Sequence, residues 1–161
     1  MGAMGPVICV CTGNICRSPM AEAFLKKALV DAGVEGVEVV SAGVAAYDGS
    51  PATSLSARAM AEKGYDLSAH RSQSLTRKMV GEASLILVMT TMHKIAIEEE
   101  FGKVSTPVFL WRERRPAEKQ IADPWGGNYE TYKIARDAIA EAVSDWVDVV
   151  QEMKRKADHA T

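Results

Sequence analysis

The sequence predicts an α/β protein: a single three-layer domain whose four-stranded, parallel, twisted sheet carries helices on both faces. Three observations predict it. Short apolar runs alternate along the chain with longer segments whose apolar residues recur at helical spacing, the pattern of parallel strands joined by crossover helices. The runs are apolar at nearly every residue, as strands covered on both faces are, and Leu85-Ile86-Leu87-Val88-Met89 is the clearest of them. The length of 161 residues suits one domain with a sizeable core. No linker, internal repeat or low-complexity segment divides it.

The elements follow in order. Residues 7–11, Val-Ile-Cys-Val-Cys, form the first strand. A helix spans about residues 19–32, with Met20, Phe24, Leu25, Ala28 and Leu29 at helical spacing and Gly33 as its stop. Ser18 is its expected N-cap and Pro19 its first helical residue. The second strand, 37–40, delivers Ser41 at its carboxyl end. A helix over about 54–63 stops at Gly64. The third strand is 85–89, followed by a helix over about 92–101 and a fourth strand over 107–111. The connection 112–128 is long enough to suggest function; its Arg112, Arg114 and Arg115 read as a solvated loop. The final helix, about 129–155, places Tyr132, Ala135, Ile139, Val143, Trp146, Val147 and Val150 on one side. Ligands of such sheets bind outside the carboxyl ends of the strands, where Cys11, Ser41 and Thr90 emerge.

Cys11-Thr12-Gly13-Asn14-Ile15-Cys16-Arg17-Ser18 is the most informative stretch. A strand, a tight loop and a helix N-terminus in that order make an anion site, because loop N–H groups converge and the helix dipole favours negative charge. A thiol in that field ionises easily; helix N-termini and nearby Arg lower a Cys pKa from about 8.5 to roughly 3.5–7.5. Cys, five residues, then Arg is by itself a weak pattern. The preceding strand, Gly13, Asn14 and the Ser-Pro that follows give it weight. Asn14 suits a left-handed loop position. Behaviour as a small buried hydrophobe suits Cys9 rather than Cys11. A zinc site built on Cys9, Cys11 and Cys16 fails, since Cys9 and Cys11 alternate on a strand and no further ligand lies at finger-like spacing. His93 and His159 fall on helical or tail surface and receive no role.

Residues 11–22, Cys-Thr-Gly-Asn-Ile-Cys-Arg-Ser-Pro-Met-Ala-Glu, closely resemble the signature loop of the low-molecular-weight protein tyrosine phosphatases, bacterial type. Asp123-Pro124, followed by Trp125-Gly126-Gly127, matches the Asp-Pro pair those enzymes carry in a late loop, and Ser41-Ala42-Gly43 matches after the second strand. The resemblance runs from Val7 to the final helix and implies a phosphatase domain over 5–157. It implies hydrolysis of protein phosphotyrosine through a cysteinyl-phosphate. Cys11 is the implied nucleophile. The planar fork of Arg17 would bind phosphate oxygens, and Asp123 would act as general acid, then base. Pro124 pushes Asp123 out of helical geometry, which fits a loop over a site; alone, the pair would read as a turn initiator.

Thr12, Gly13, Asn14, Ile15, Cys16 and Ser18 complete the phosphate-binding loop. By resemblance Ser18 stabilises Cys11 as a leaving thiolate, a role compatible with capping, and Ser41 holds Asn14. His70 either extends that network or is a surface histidine. Cys16 is either a redox partner that protects Cys11 through a reversible disulfide or a small residue packed under the loop. Ile15, Tyr47, Trp125 and Tyr129 are the candidate pocket walls, and aromatic walls suit a phosphotyrosine ring. Relatives that hydrolyse phosphoarginine carry threonine where this chain has Ile15; the apolar side chain favours tyrosine. Arsenate reductases of this fold relay through downstream cysteines, and none follows Cys16. A catalytically dead phosphoprotein-binding module is disfavoured by retention of Cys11, Arg17 and Asp123.

No metal or cofactor is expected. The implied partners are phosphorylated proteins, with inorganic phosphate as product and inhibitor, and a monomer is expected. A formal net charge of −2 gives no electrostatic case for nucleic acid or membrane. No apolar stretch reaches transmembrane length and no signal peptide opens the chain. The 3 cysteines make no secreted disulfide framework, so a cytoplasmic location is expected. Met1-Gly2-Ala3-Met4 reads as a cloning remnant.

Overall fold

The structure, a computed structural model, describes residues 3–160. Met1 and Gly2 of the supposed remnant lie outside the described residues, whereas Met4 packs half-buried against the core. Strands β1 (Val7–Cys11), β2 (Val39–Gly43), β3 (Leu85–Val88) and β4 (Val108–Leu110) form one parallel sheet in the order β2-β1-β3-β4. Helices α1 (Arg17–Asp31), α2 (Ser54–Ala61), α3 (Arg77–Glu82), α4 (Thr91–Phe101) and α5 (Tyr129–Asp158) join and cover it.

Strand β1 shows why the run is apolar throughout. Val7, Cys9 and Cys11 enter one core with Met20, Leu25, Ile139 and Trp146 from α1 and α5. Ile8 and Val10 enter a second core with Val80 of α3 and Ile97 of α4. Alternate residues thus face opposite layers, and the sheet is covered on both faces.

The boundaries carry three corrections. Helix α1 begins at Arg17 with Cys16 at its N-cap, so Ser18 and Pro19 are its second and third residues. The phosphate-type loop runs straight into the first turn, and Pro19 is tolerated there because the first four helical N–H groups lack intrahelical partners anyway. Strand β2 does not end before Ser41; it continues to Gly43, with Ser41 opposite Cys9. A serine is affordable in this buried strand because its hydroxyl is fully engaged, as described below. Gly43 then lets the backbones close in: a Cβ there would sit 2.4 Å from the Thr12 carbonyl oxygen. Helix α3 was not expected at all. It has 6 residues, too few to show a period, and is held by the Thr76 hydroxyl accepting from Met79 N–H at 3.2 Å.

The connection from β4 to α5 is pinned rather than solvated. Arg112 is buried and donates to the carbonyls of Glu118 (2.7 Å) and Ala138 (2.8 Å). Arg115 forks onto Asp145 at 2.9 and 3.0 Å. Both arginines fasten the loop to α5. Buried Trp111 and Trp146 reinforce this, donating to the carbonyls of Ile139 (2.9 Å) and Trp111 (2.6 Å) respectively. Farther along, buried Ile121 donates to the Met89 carbonyl at 2.9 Å. The segment before Asp123 is thereby tied to the end of β3.

Candidate active site

The loop 11–18 joins the carboxyl end of β1 to the N-terminus of α1. Asn14 takes φ of 57°, the one positive φ of a non-glycine among the described residues. Its side chain is buried and fully used. Oδ1 accepts from Gln73 N–H at 2.9 Å, and Nδ2 donates to Ser18 Oγ (2.8 Å) and Ser41 Oγ (2.9 Å). His70 Nε2 donates to the Asn14 carbonyl at 2.7 Å. The left-handed turn is therefore held from both sides, and both support residues expected from the sequence are in contact with it.

These contacts order the protons. Ser41 Oγ donates to Glu22 Oε1 at 2.6 Å, so it accepts from Asn14. Asn14 Nδ2 has a second proton for Ser18 Oγ, which leaves the Ser18 proton to donate to Cys11 Sγ at 3.0 Å. A chain running from the Glu22 carboxylate to the Cys11 sulfur thus supplies the sulfur with a donor.

Arg17 is 3 % exposed. Its Nη1 donates to the Ile121 carbonyl at 2.8 Å, and its Nη2 lies 3.4 Å from Thr12 Oγ1 and 3.5 Å from Asp123 Oδ2. Arg17 Nε is buried with no protein partner. A buried charged donor left unmatched is costly, and a phosphoryl oxygen at the loop would match it. Asp123 is half-exposed; its Oδ1 accepts from Trp125 N–H at 3.1 Å in a turn that sets the carboxylate's orientation.

A cavity of about 320 Å³ opens here. Cys11, Ile15, Arg17 and Asp123 line it, with Tyr47 and Trp125. Those two aromatics are 86 % and 66 % exposed, so they flank the mouth rather than wall a deep slot. Tyr129 does not line the cavity. It opens α5, lies 3.9 Å under the Arg58 guanidinium of α2, and donates to Glu62. A helix-to-helix contact claims the ring that the sequence suggested for substrate.

Cys9, Cys11 and Cys16 are all free thiols. Burial pushes the Cys9 thiol well up, which suits a core residue. Cys16 Sγ lies 3.6 Å from Tyr132 Oη and 3.7 Å from Thr53 Oγ1, and burial pushes its pKa up as well. No group of three or more His, Cys, Asp or Glu among the described residues is placed to hold a metal ion. No helix among them is long and apolar enough to cross a membrane.

His93, given no role from the sequence, is buried at the site. It is the third residue of α4. Nδ1 accepts from Thr90 N–H at 3.1 Å, so the ring proton is on Nε2, which donates to Thr12 Oγ1 at 2.9 Å. Burial, then the Arg17 charge, lowers its pKa from 6.5 to about 4, against a smaller opposing pull from Asp123. An unfolded chain therefore takes up this proton before the folded one does, and stability falls as pH drops from about 6.5 toward about 4. The loss amounts to about 2 kcal/mol between pH 7 and pH 5. Denaturant titrations of the protein and of His93→Asn should differ by this slope; parallel pH profiles would contradict the burial of a neutral ring.

The family described as low molecular weight phosphotyrosine protein phosphatase matches residues 6–158. The chain is 39% identical over 141 residues to a probable low molecular weight protein-tyrosine-phosphatase, EpsP, of Ralstonia nicotianae, covering 88% of this chain and 92% of that protein. It is 38% identical over 146 residues to a protein-arginine-phosphatase of Geobacillus stearothermophilus, covering 90% and 95%. Among solved structures, a mutant of the YwlE arginine phosphatase with a phosphorylated active site serine matches with a TM-score of 0.86 at 36% identity, covering 93% of this chain and 98% of that one.

Proposed function

Since the chain belongs to the low molecular weight phosphotyrosine protein phosphatase family, we propose that it hydrolyses phosphotyrosine in proteins through a cysteinyl-phosphate formed on Cys11. The phosphoryl group sits in the loop 11–18, where the α1 N-terminus and Arg17 favour negative charge. The Cys11 thiolate attacks phosphorus and the P–O bond to the phenol oxygen breaks. Asp123 gives its proton to that oxygen as it leaves. Water then attacks the phosphorus, its proton passes to the Asp123 carboxylate, and the P–S bond breaks. Inorganic phosphate leaves, and as a ligand of the same loop it also competes with substrate. The Ser18 donor 3.0 Å from Cys11 Sγ supports the second step by stabilising the departing thiolate. The related mutant with a phosphorylated active site serine supports a covalent route.

The observation that carries the choice of tyrosine is Ile15. It is half-buried and lines the same cavity as Cys11, Tyr47 and Trp125. An apolar wall of this kind suits a phenol ring and offers a guanidinium no acceptor at that position. Arginine phosphatase activity is the second reading, favoured by the 38% identity to a protein-arginine-phosphatase. Peptides carrying phosphotyrosine, phosphoarginine or phosphoserine separate the two. We expect kcat/KM for phosphotyrosine to exceed that for phosphoarginine by at least about tenfold, and Ile15→Thr to narrow the ratio. Faster cleavage of phosphoarginine by the unaltered protein would replace the first reading with the second.

A further inference from the structure

We propose that His93 is a positioning residue of the phosphate site: through the Thr12 hydroxyl it holds the Arg17 guanidinium in the plane that meets the phosphoryl group. The inference rests on the phosphatase reading of the loop and assigns a task to a residue outside it.

Each link is fixed by hydrogen-bond chemistry. A backbone N–H can only donate, so Thr90 N–H at 3.1 Å makes His93 Nδ1 an acceptor and puts the ring proton on Nε2. Nε2–H then donates to Thr12 Oγ1 at 2.9 Å and occupies one of its lone pairs. The other lone pair faces Arg17 Nη2, 3.4 Å away. The Thr12 backbone is held separately, its carbonyl accepting from Ala45 N–H at 2.9 Å. Arg17 is thereby anchored at both terminal nitrogens, Nη1 on the Ile121 carbonyl at 2.8 Å and Nη2 on Thr12. Two anchors fix a planar group against rotation. The partnerless Nε and an Nη2 proton lie on one edge of that plane, and this is the fork that binds two oxygens of a phosphoryl group.

Helix capping alone does not explain a histidine. A cap at this position needs only an acceptor for Thr90 N–H, which Asn, Asp, Ser or Glu would supply. Imidazole adds a donor on the far side of a rigid ring, and that donor spans 81 residues of sequence to reach the loop. Without Thr12 as second anchor, the remaining neighbour of Nη2 is Asp123 Oδ2 at 3.5 Å, a half-exposed carboxylate that would draw the guanidinium toward itself.

Two substitutions separate the ends of the ring. His93→Asn keeps an acceptor near the Nδ1 position and loses the reach to Thr12. His93→Gln reaches the Nε2 position, and its one amide, turned to donate to Thr12, no longer accepts from Thr90 N–H. Inorganic phosphate binding by calorimetry, kcat and KM on p-nitrophenyl phosphate, and thermal midpoints would be measured for both. His93→Asn is expected to weaken phosphate binding and raise KM by about tenfold with little change in midpoint. His93→Gln should lower the midpoint by a few degrees yet recover most of the phosphate affinity. Thr12→Val should match His93→Asn in binding, and the pair combined should be no worse than either alone. Phosphate binding that tracks the midpoint across the two His93 variants would overturn the proposal, as would unaltered binding in His93→Asn or additive losses in the double variant. Calorimetry does not depend on which ester is cleaved: if phosphotyrosine is not a substrate, the functional reading falls while the phosphate affinities still judge the clamp. A parent protein that binds no phosphate overturns both.

Discussion

Replacing Cys11 by serine is expected to lower kcat on an aryl phosphate by at least about 10³-fold while inorganic phosphate still binds. The reason is chemical rather than steric. Cys11 is buried at the carboxyl end of β1, and its sulfur receives the Ser18 proton at 3.0 Å. A serine oxygen fits the same place, but a hydroxyl does not ionise near neutral pH and must lose its proton during attack. Among the described residues the side-chain hydrogen bond to this position comes from Ser18, at the end of the ordered chain from Glu22 through Ser41 and Asn14, and it brings a donor rather than a base. Phosphate binding survives because Arg17 and the loop N–H groups are untouched. Any phosphoryl transfer that does occur should stall as a phosphoserine, visible as the mass of one phosphoryl group on the intact protein. Cys9→Ala serves as the internal comparison: Cys9 is fully buried in the core, so its loss should cost about 1 kcal/mol of stability and leave kcat alone. Wild-type turnover by Cys11→Ser would remove the nucleophile assignment.

The parts of this site that were legible in the sequence are those whose chemistry is local. Cys11, Asn14, Arg17 and Ser18 lie within one loop, where a strand and a helix N-terminus dictate what a thiol, an αL-tolerant amide and a guanidinium can do. The β1 run announces a strand buried on both faces, and the structure pairs it with β2 on one side and β3 on the other. What was not legible depends on distant partners. His93 sits in Thr90-Thr91-Met92-His93, which reads as helical surface until Thr12 is found beside it. Its one local signal was a side-chain acceptor three residues after a threonine N-cap. The sequence places Ser41 just past the second strand, whereas β2 carries on to Gly43 with the serine hydroxyl engaged by Glu22 and Asn14, partners that no local pattern announces. Arg112 and Arg115 read as solvated because their partners, Ala138, Glu141 and Asp145, lie a helix away. Tyr129 erred the other way, an aromatic near the site by sequence that the α2–α5 contact takes for itself.

Asp123→Asn should separate proton transfer from phosphate binding, with the two moving in opposite directions. The carboxylate touches two groups: Oδ1 accepts from Trp125 N–H at 3.1 Å, and Oδ2 lies 3.5 Å from Arg17 Nη2. Asparagine can keep the first contact, so the turn that presents the side chain is retained, and Pro124 is unchanged. The charge and the transferable proton are both lost. For an alkyl or unsubstituted phenyl ester, whose leaving oxygen needs a proton, kcat/KM, which reports the phosphoryl-transfer step, should fall by about 10²–10⁴-fold. For p-nitrophenyl phosphate, whose leaving group departs as a stable anion, the fall in kcat/KM should be far smaller, whereas kcat falls for every ester because the same carboxylate takes the proton of the hydrolytic water. Phosphate affinity should rise, because a negative group beside Arg17 no longer competes with the ligand for Nη2 or repels its charge. The gain is modest, since Asp123 is half-exposed and the pair is screened by solvent. A uniform loss of kcat/KM across leaving groups would point to a damaged loop instead of a missing acid. Unchanged rates on the poor leaving groups would mean that the proton comes from elsewhere, and no other carboxyl group lines the cavity among the described residues.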